Sequence, residues 1–245
     1  TKRGQHKGKD IPMCGVPFHS AEGYIKTLLD KNMKVAICEQ LETPKEAKKR
    51  GYKEIVKRDV VRIITPGTKL EESFLVQKEN NILMALFFFD NSWASCWIDI
   101  STGLFKSTIS NESHLLSLID QISPKETISY ANKKELSILK SYIPIEVTWL
   151  ESKKNFTRDM LIDYLSSFFD PERLQKLNTG LLGSISLIVE YLKKNKNLFL
   201  DHFDIPEQVE LSNIMTIDPS TRKNLEINTS LDGEKNLSLL GVVDK

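Results

Sequence analysis

The apolar positions of the first 65 residues follow helix spacing and strand spacing in turn. Between Ala21 and Leu29 they recur every three or four residues, as on one face of a helix, and Ser20 is the predicted N-cap. Residues 35–38 form an uninterrupted apolar run that predicts a short buried strand. The pattern therefore predicts a small first domain of α+β type.

A second helix and a second strand follow in the same unit. Thr43 and Glu46 have the spacing of a capping box around Pro44, which stands at the first helical position. Residues 55–64 alternate imperfectly and predict a strand. The Thr-Pro-Gly-Thr turn at residues 65–68 ends this strand, and we take it as the first domain boundary.

The pattern changes to β from residue 82 onward. Three apolar or alternating runs are separated by polar turns at residues 90–92 and 101–103, which is typical of an antiparallel meander. Amphipathic helices and further strands alternate beyond the meander, so an α/β domain is predicted. The predicted strands are residues 82–89, 93–98, 104–109, 126–130 and 145–150, and the predicted helices are residues 114–122 and 133–141.

The last part of the chain is mainly helical. Residues 157–203 are apolar on one face and are interrupted at Gly180. An extended stretch is predicted at residues 215–217. Asp218, followed by proline at the first helical position, is a good N-cap, and we expect the helix to continue over residues 221–231.

Composition narrows the class of protein. With 245 residues, 40% of them apolar and 27% charged, the chain has the make-up of a globular protein of one or two domains. The longest apolar run, Ile82–Phe89, is far below the ~20 residues that cross a bilayer, so no membrane partner is expected. Cys14, Cys38 and Cys96 form no C-x-x-C pair, and we expect packed, reduced thiols rather than a zinc site. The chain begins without Met, and we expect a piece of a longer protein.

The formal net charge of +1 conceals a basic first segment. Residues 1–65 contain 15 Lys and Arg against 8 Asp and Glu, whereas the rest of the chain contains 19 against 25. A duplex-binding surface at one end of the molecule would produce this distribution. An ordinary solvated surface would also produce it, and charge alone leaves both interpretations open.

Four short runs are more specific than these patterns. They are IPMCGVPFHS at residues 11–20, VAICEQ at residues 35–40, VVRIITPGT at residues 60–68 and DPSTRKNLE at residues 218–226. In this order and at these intervals they resemble the signature runs of the MutS family of DNA mismatch repair proteins. Residues 69–200 resemble the family mainly by their pattern of strands and helices.

The resemblance implies three domains and a function. Residues 1–65 would be part of the mismatch-binding domain, residues 66–203 a ribonuclease-H-like α/β connector domain, and residues 204–245 the beginning of a helical core domain. Such a chain would contact double-stranded mismatched DNA and relay its recognition to the ATPase and to the partner MutL, which would dock on the connector. The full-length family forms homo-oligomers in the cytoplasm, associated with the nucleoid.

The sequence departs from the family pattern in three places. The family's Phe-x-Glu wedge, which stacks on the mispaired base, lies upstream of the Thr-Lys-Arg-Gly run at residues 1–4 and does not occur in these 245 residues. The phosphate loop of the family's ATPase, G-x-x-x-x-G-K-[ST], is also absent. We therefore expect no catalytic residue, no metal site and no cofactor in this chain. The resemblance implies that ATP and Mg²⁺ are bound only by the full-length proteins of the family. Residues 46–55 are longer and more basic than the family's usual loop.

The candidate DNA-binding residues begin at the N-terminus. Lys2 and Arg3 suit phosphate contacts, and the resemblance places them beside the duplex, although a frayed basic terminus is the alternative. Met13 stands in a loop rich in proline and glycine, where it could press on the minor groove or belong to the core.

Three further polar residues have one functional and one structural interpretation. His19 could contact a base, although a structural role at the start of a helix is favoured. Arg58 matches a family position close to DNA, and we favour contact with the backbone of the duplex. Arg62 is expected to pair within the domain.

Asp90 and Asp99 raise a different class of function. Ribonuclease-H-like nucleases bind two metal ions with several convergent carboxylates, and both residues lie on or beside predicted strands. The sequence offers no convincing third and fourth ligand, and Asp99 opens a turn, where Asp commonly bonds to the backbone. A DNA-binding module, a protein-interaction module built on the connector and a metal-dependent nuclease thus remain the three alternatives, with the nuclease least favoured.

Overall fold

The computed structural model of the chain describes residues 2–12, 15–51, 54–70, 74, 80–130, 147–149, 156–196, 203–210 and 217–243. Helices and strands are both present, and the main sheet is mixed, which confirms the predicted α/β class. The strands are β1 Lys2–His6, β2 Lys9–Pro12, β3 Val35–Gln40, β4 Arg58–Ile64, β5 Ile82–Phe89, β6 Ser92–Asp99, β7 Leu104–Ser110, β8 Glu126–Ser129, β9 Val147–Trp149 and β10 Glu207–Gln208. The helices are α1 Ala21–Asp30, α2 Pro44–Arg50, α3 Glu112–Ile122, α4 Arg158–Leu165, α5 Pro171–Leu174, α6 Thr179–Lys194, α7 Pro219–Asn224 and α8 Leu239–Val243.

An antiparallel ribbon, β1–β2, opens the chain. Lys7 and Gly8 connect its strands with φ angles of 49° and 74°. Positive φ at both central positions is characteristic of a type I′ hairpin turn, and Gly8 suits this backbone at little steric cost. The ribbon thus follows from a two-residue Lys-Gly turn that the analysis of apolar periodicity did not predict.

The next unit packs α1 against the antiparallel pair β3–β4. Its core holds Leu29 from α1, Ile64 from β4 and Phe74, with partly buried apolar residues of β3 around them. Ser20 occupies the N-cap position of α1 as predicted, but its side chain makes no capping bond, because a 3-10 turn, Phe18–Ser20, leads directly into the helix. The strand predicted at residues 55–64 begins three residues later than predicted, at Arg58.

The main sheet has the strand order β10-β7-β6-β5-β8-β9. Its centre is the predicted antiparallel meander, β5–β6–β7, in which Ile82 is opposite Asp99 and Trp93 is opposite Ser110. β8 and β9 add to the β5 edge in parallel, and β10 adds to β7. The sheet is therefore mixed, an antiparallel meander extended by parallel strands at both edges.

Helices cover both faces of this sheet. α6 is buried along most of its length and packs on β5 and β6, while α3 packs on β6 and β7 from the other side. Gly183 permits the close approach of α6, because a Cβ there would lie 2.6 Å from the Phe87 ring. Each face of the sheet thus carries an apolar core, and the larger of these two cores lies between the sheet and helices α4–α6.

The helical C-terminal part is more broken than the sequence predicts. The helical stretch expected at residues 157–203 consists of α4, α5 and α6, which begin after the side-chain caps Thr157, Asp170 and Asn178. Asp218 caps α7 as predicted, but the helix expected to reach residue 231 ends at Asn224. Glu226 adopts a φ of 49°, a left-handed conformation that a continuing helix does not allow.

Several expectations fall outside or only partly inside the described residues. The helix at residues 133–141, Met13, Cys14 and most of the extended stretch at residues 215–217 are outside them. Cys96 is buried as expected, whereas Cys38 is exposed on β3, so the expectation of a packed thiol is wrong there. Among the helices of the described ranges, none is long and apolar enough to cross a membrane.

Candidate nucleic-acid interface

The N-terminal ribbon places basic residues on a short, twisted element. Lys2 and Arg3 belong to β1, paired with β2, so their backbone is part of an ordered ribbon rather than a frayed terminus. Lys7 in the turn and Lys9 at the start of β2 have exposed side chains. A two-stranded ribbon with basic residues at its tip has the charge needed to neutralise phosphates.

His19 lies in the 3-10 turn and is exposed. The capping role favoured for it does not occur, because neither this turn nor α1 has a side-chain capping bond. Its neighbour Phe18 is 94% exposed, the largest exposed fraction among the large apolar residues of the described part of the chain. Phe18 was not among the residues predicted from the sequence, although an aromatic residue between Pro17 and His19 was a visible signal.

Arg58 is the exposed first residue of β4, opposite Gln40 of β3. Arg62 is half-buried on the same strand, opposite Ile37, which suits its expected pairing within the protein. The structure places His19 and Arg58 in one unit, since the 3-10 turn contacts α1 and α1 contacts β3. Lys2 and Arg3 lie in a different sheet, the β1–β2 ribbon.

The strand that carries Arg58 is bonded to the α/β domain. Asp59 accepts a hydrogen bond from Lys196 Nζ at 2.9 Å, and Lys196 also donates to the Val60 carbonyl. The Ile63 amide donates to the Asn195 carbonyl at 3.0 Å, just beyond the end of α6. The bond from Lys196 also holds the pKa of Asp59 below its ordinary value. β4 is therefore tied at three points to the end of the longest described helix.

A second connection centres on Glu126, the first residue of β8, whose side chain is 5% exposed. Lys34 Nζ lies 3.1 Å from Glu126 Oε1 and donates to Thr148 Oγ1 and Tyr191 Oη, each at 2.9 Å. The Tyr191 hydroxyl donates to Glu126 Oε1, and the Gly67 amide donates to Glu126 Oε2 at 3.2 Å. We call Lys34, Gly67, Glu126 and Tyr191 the junction cluster.

The junction cluster is electrostatically matched. Burial raises the pKa of Tyr191, and the negative charge of Glu126 raises it further, so the phenol stays protonated and remains a donor. The Glu126 carboxylate receives a cation, a hydroxyl and an amide, which offsets the cost of removing it from water. Sequence inspection could not find this cluster, because its members come from four distant segments.

Asp99, one of the two aspartates of the nuclease alternative, has a structural role, and the other, Asp90, lies in a turn. Asp99 is buried and accepts bonds from the Asn81 amide at 2.7 Å, the Ser101 amide at 2.9 Å and Ser101 Oγ at 2.6 Å. Asp90 lies in the β5–β6 turn with a φ of 49°. Within the described ranges, no group of three or more His, Cys, Asp or Glu is arranged to hold a metal ion. The structure therefore adds nothing in favour of the nuclease.

The chain matches two protein families in succession. Residues 1–73 match the family described as MutS domain I, and residues 81–204 match MutS domain II. Neither of the two matched regions is the ATPase region of the family.

Full-length relatives agree with these matches. The chain is 39% identical to a DNA mismatch repair protein MutS of Wolbachia pipientis wMel and 38% identical to that of Ruegeria pomeroyi, in each case over its whole length. It spans 29% and 28% of those two proteins, respectively. With both family matches and this identity along its entire length, the chain belongs to the MutS family of DNA mismatch repair proteins.

Proposed function

We propose that this chain contacts duplex DNA through its first 65 residues and transmits the bound state to its α/β domain. The observation that carries the proposal is the position of Arg58. It is exposed at the start of β4, and the adjacent Asp59 is bonded to Lys196 of the α/β domain. A cation that contacts a phosphate here would be one residue from a direct connection between the two parts.

The DNA-contacting groups would be of two kinds. Lys2, Arg3 and Arg58 would neutralise phosphates, which positions the protein without reading sequence. His19 and Met13, the remaining candidates, would approach the groove. The exposed ring of Phe18 beside His19 supports an apolar contact at this place, as in proteins that press apolar side chains into the minor groove.

The domain division is part of the same proposal. Residues 1–65 would act as the DNA-contacting unit, residues 66–203 as the connector and residues 204–245 as the beginning of the helical core. The junction cluster and the bonds of Lys196 and Asn195 support a rigid connection between the first two units. A relay between distant sites requires rigid elements that move together from one discrete arrangement to another.

The partners and setting follow from family membership and stand as proposals. MutL would dock on the connector, which a binding assay with residues 66–203 would test. In the whole protein, ATP and Mg²⁺ would be bound by the ATPase, and the subunits would form homo-oligomers. The protein would act in the cytoplasm at the nucleoid.

The DNA-contacting role is tested by removing the charge of Arg58. Titration of a labelled homoduplex at several salt concentrations should show weaker binding for Arg58→Ala and a salt slope smaller by about 1, as expected for one lost phosphate contact. Arg173→Ala, which removes an exposed arginine of α5 that pairs with Asp204, is the matched control and should leave the slope unchanged. Equal slopes for the parent chain and Arg58→Ala would contradict the assignment.

A further inference from the structure

We propose that α2 and the start of β4 form an additional phosphate-binding surface. It consists of Lys45, Lys48, Lys49, Lys57 and Arg58, which we call the basic cluster, and all five are exposed. The inference rests on the proposed function, because Arg58 belongs to both, and extends it to a helix that no motif marks as DNA-binding. The ligand class is the phosphate backbone of duplex nucleic acid.

The geometry of α2 lines up three of the cations. Lys45, Lys48 and Lys49 have the i, i+3, i+4 spacing that places side chains on one face of a helix. The buried Ala47 lies on the opposite side and anchors α2 to the protein. Like charges at this spacing repel one another and destabilise a helix, so an anionic partner that neutralises them would relieve this cost.

The nearby carboxylates are already engaged elsewhere. Glu42 accepts a hydrogen bond from Arg50 Nε at 3.2 Å and from the Lys57 amide at 2.7 Å. Glu46 completes the capping box of α2 by accepting from the Thr43 amide at 2.7 Å. Glu54 accepts from Arg50 at 3.3 Å. The local acidic groups are thus used to cap α2 and to hold Arg50.

The same bonds bring α2 close to Arg58. Glu42 joins Arg50, the last residue of α2, to Lys57, and Arg50 also donates to the Ile55 carbonyl at 3.2 Å. The last turn of α2 therefore adjoins the segment that leads into β4. Lys48 and Lys49 directly precede Arg50, which is bonded to the segment just before Arg58, so we expect one duplex to reach both. Macrodipole stabilisation accounts for basic residues in the last turn of α2, but it does not account for Lys57 and Arg58 beside that turn.

Salt-dependent DNA binding by the whole 245-residue chain tests this inference. The probe is a labelled homoduplex titrated at 50, 100 and 200 mM KCl. In Lys48→Ala/Lys49→Ala, the salt slope should decrease by roughly 1.8, since each phosphate contact contributes about 0.9. The loss of affinity between 50 and 200 mM salt would then be about tenfold smaller than in the parent chain.

Two further variants separate charge at this place from other effects. Lys48→Arg/Lys49→Arg keeps the charge and should retain the parent slope. Lys176→Ala/Lys223→Ala removes two exposed lysines outside the basic cluster and should also retain it. An unchanged slope in the alanine variant, or an equal decrease in the Lys176/Lys223 variant, overturns the inference while leaving the proposed function intact. Failure of the parent chain to bind the homoduplex at 50 mM salt overturns both.

Discussion

Lys34, just before β3, lies 3.1 Å from the buried carboxylate of Glu126 on β8. The lysine side chain is 41% exposed, whereas that of Glu126 is 5% exposed, so the pair spans the boundary between solvent and core. Tyr191 of α6 and the Gly67 amide complete the coordination of the same carboxylate. A single side chain of β8 therefore forms an ion pair with the segment between α1 and β3 and accepts hydrogen bonds from the turn after β4 and from α6.

Glu126→Ala should lower the free energy of unfolding by about 2–3 kcal/mol. Removal of the carboxylate takes away the acceptor that the Tyr191 hydroxyl and the Gly67 amide share, while the partial exposure of Lys34 limits the loss from the ion pair. Urea denaturation followed by circular dichroism measures this change. Glu172→Ala, on the exposed surface of α5, is the control and should shift stability by no more than about 0.5 kcal/mol.

Gly67→Ala should destabilise the chain because the turn after β4 has no room for a side chain. An added Cβ would lie 2.8 Å from the Glu126 Cβ and 3.2 Å from the Leu83 Cβ. Overpacking of this kind costs about 1–3 kcal/mol. Gly23→Ala provides the opposite case, since a Cβ there meets nothing within 4 Å and α1 should gain about 0.5–1 kcal/mol. Thermal denaturation of both variants compares them, and a stabilised Gly67→Ala would show that the turn packs differently.

Asp99→Ala should affect folding and not catalysis. Three donors on Asn81 and Ser101 lose their acceptor, for an expected cost of about 2–3 kcal/mol. A nicking assay with supercoiled plasmid and Mg²⁺ should show no cleavage by the parent chain or by the variant. Mg²⁺-dependent cleavage that disappears in Asp99→Ala would restore the nuclease alternative.

The cysteines should differ in reactivity towards a thiol reagent in the native state. Cys38 is exposed on β3, whereas Cys96 is fully buried in the sheet and burial raises its pKa well above the ordinary value. Because the thiolate is the reactive form, iodoacetamide at pH 8 should modify Cys38 and leave Cys96 intact until urea unfolds the chain. Peptide mapping by mass spectrometry distinguishes the two. Native-state labelling of Cys96 would contradict its position at the centre of the sheet.

Local rules predicted the elements that local interactions determine. The capping box of α2 occurs between Thr43 and Glu46, and Asp218 caps α7, because a cap involves residues only three apart. The meander was predictable from alternation and short turns. The end of α7 was not, since the left-handed backbone at Glu226 interrupts a sequence that is otherwise compatible with a helix.

The candidate site was less predictable than the fold. Arg58 was selected by resemblance, but the link between its neighbour Asp59 and the α/β domain depends on Lys196, more than a hundred residues later. Glu126 carries no local signal, because its partners are brought together only by the packing of β8, α6 and the turn after β4. Conversely, the residue type of Asp99 suggested a metal ligand, whereas its carboxylate is a buried acceptor for backbone amides and a hydroxyl.

The proposed phosphate contacts would hold duplex DNA without recognising a mismatch. The measurement is a pair of titrations, with a homoduplex and with a duplex of the same length that carries one G·T mispair, each at 50 and 200 mM KCl. Because the sequence contains no Phe-x-Glu wedge, affinities for the two duplexes should agree within about twofold, and both should fall steeply with salt. Clear preference for the G·T duplex, or binding that salt does not weaken, would contradict binding through phosphate contacts alone.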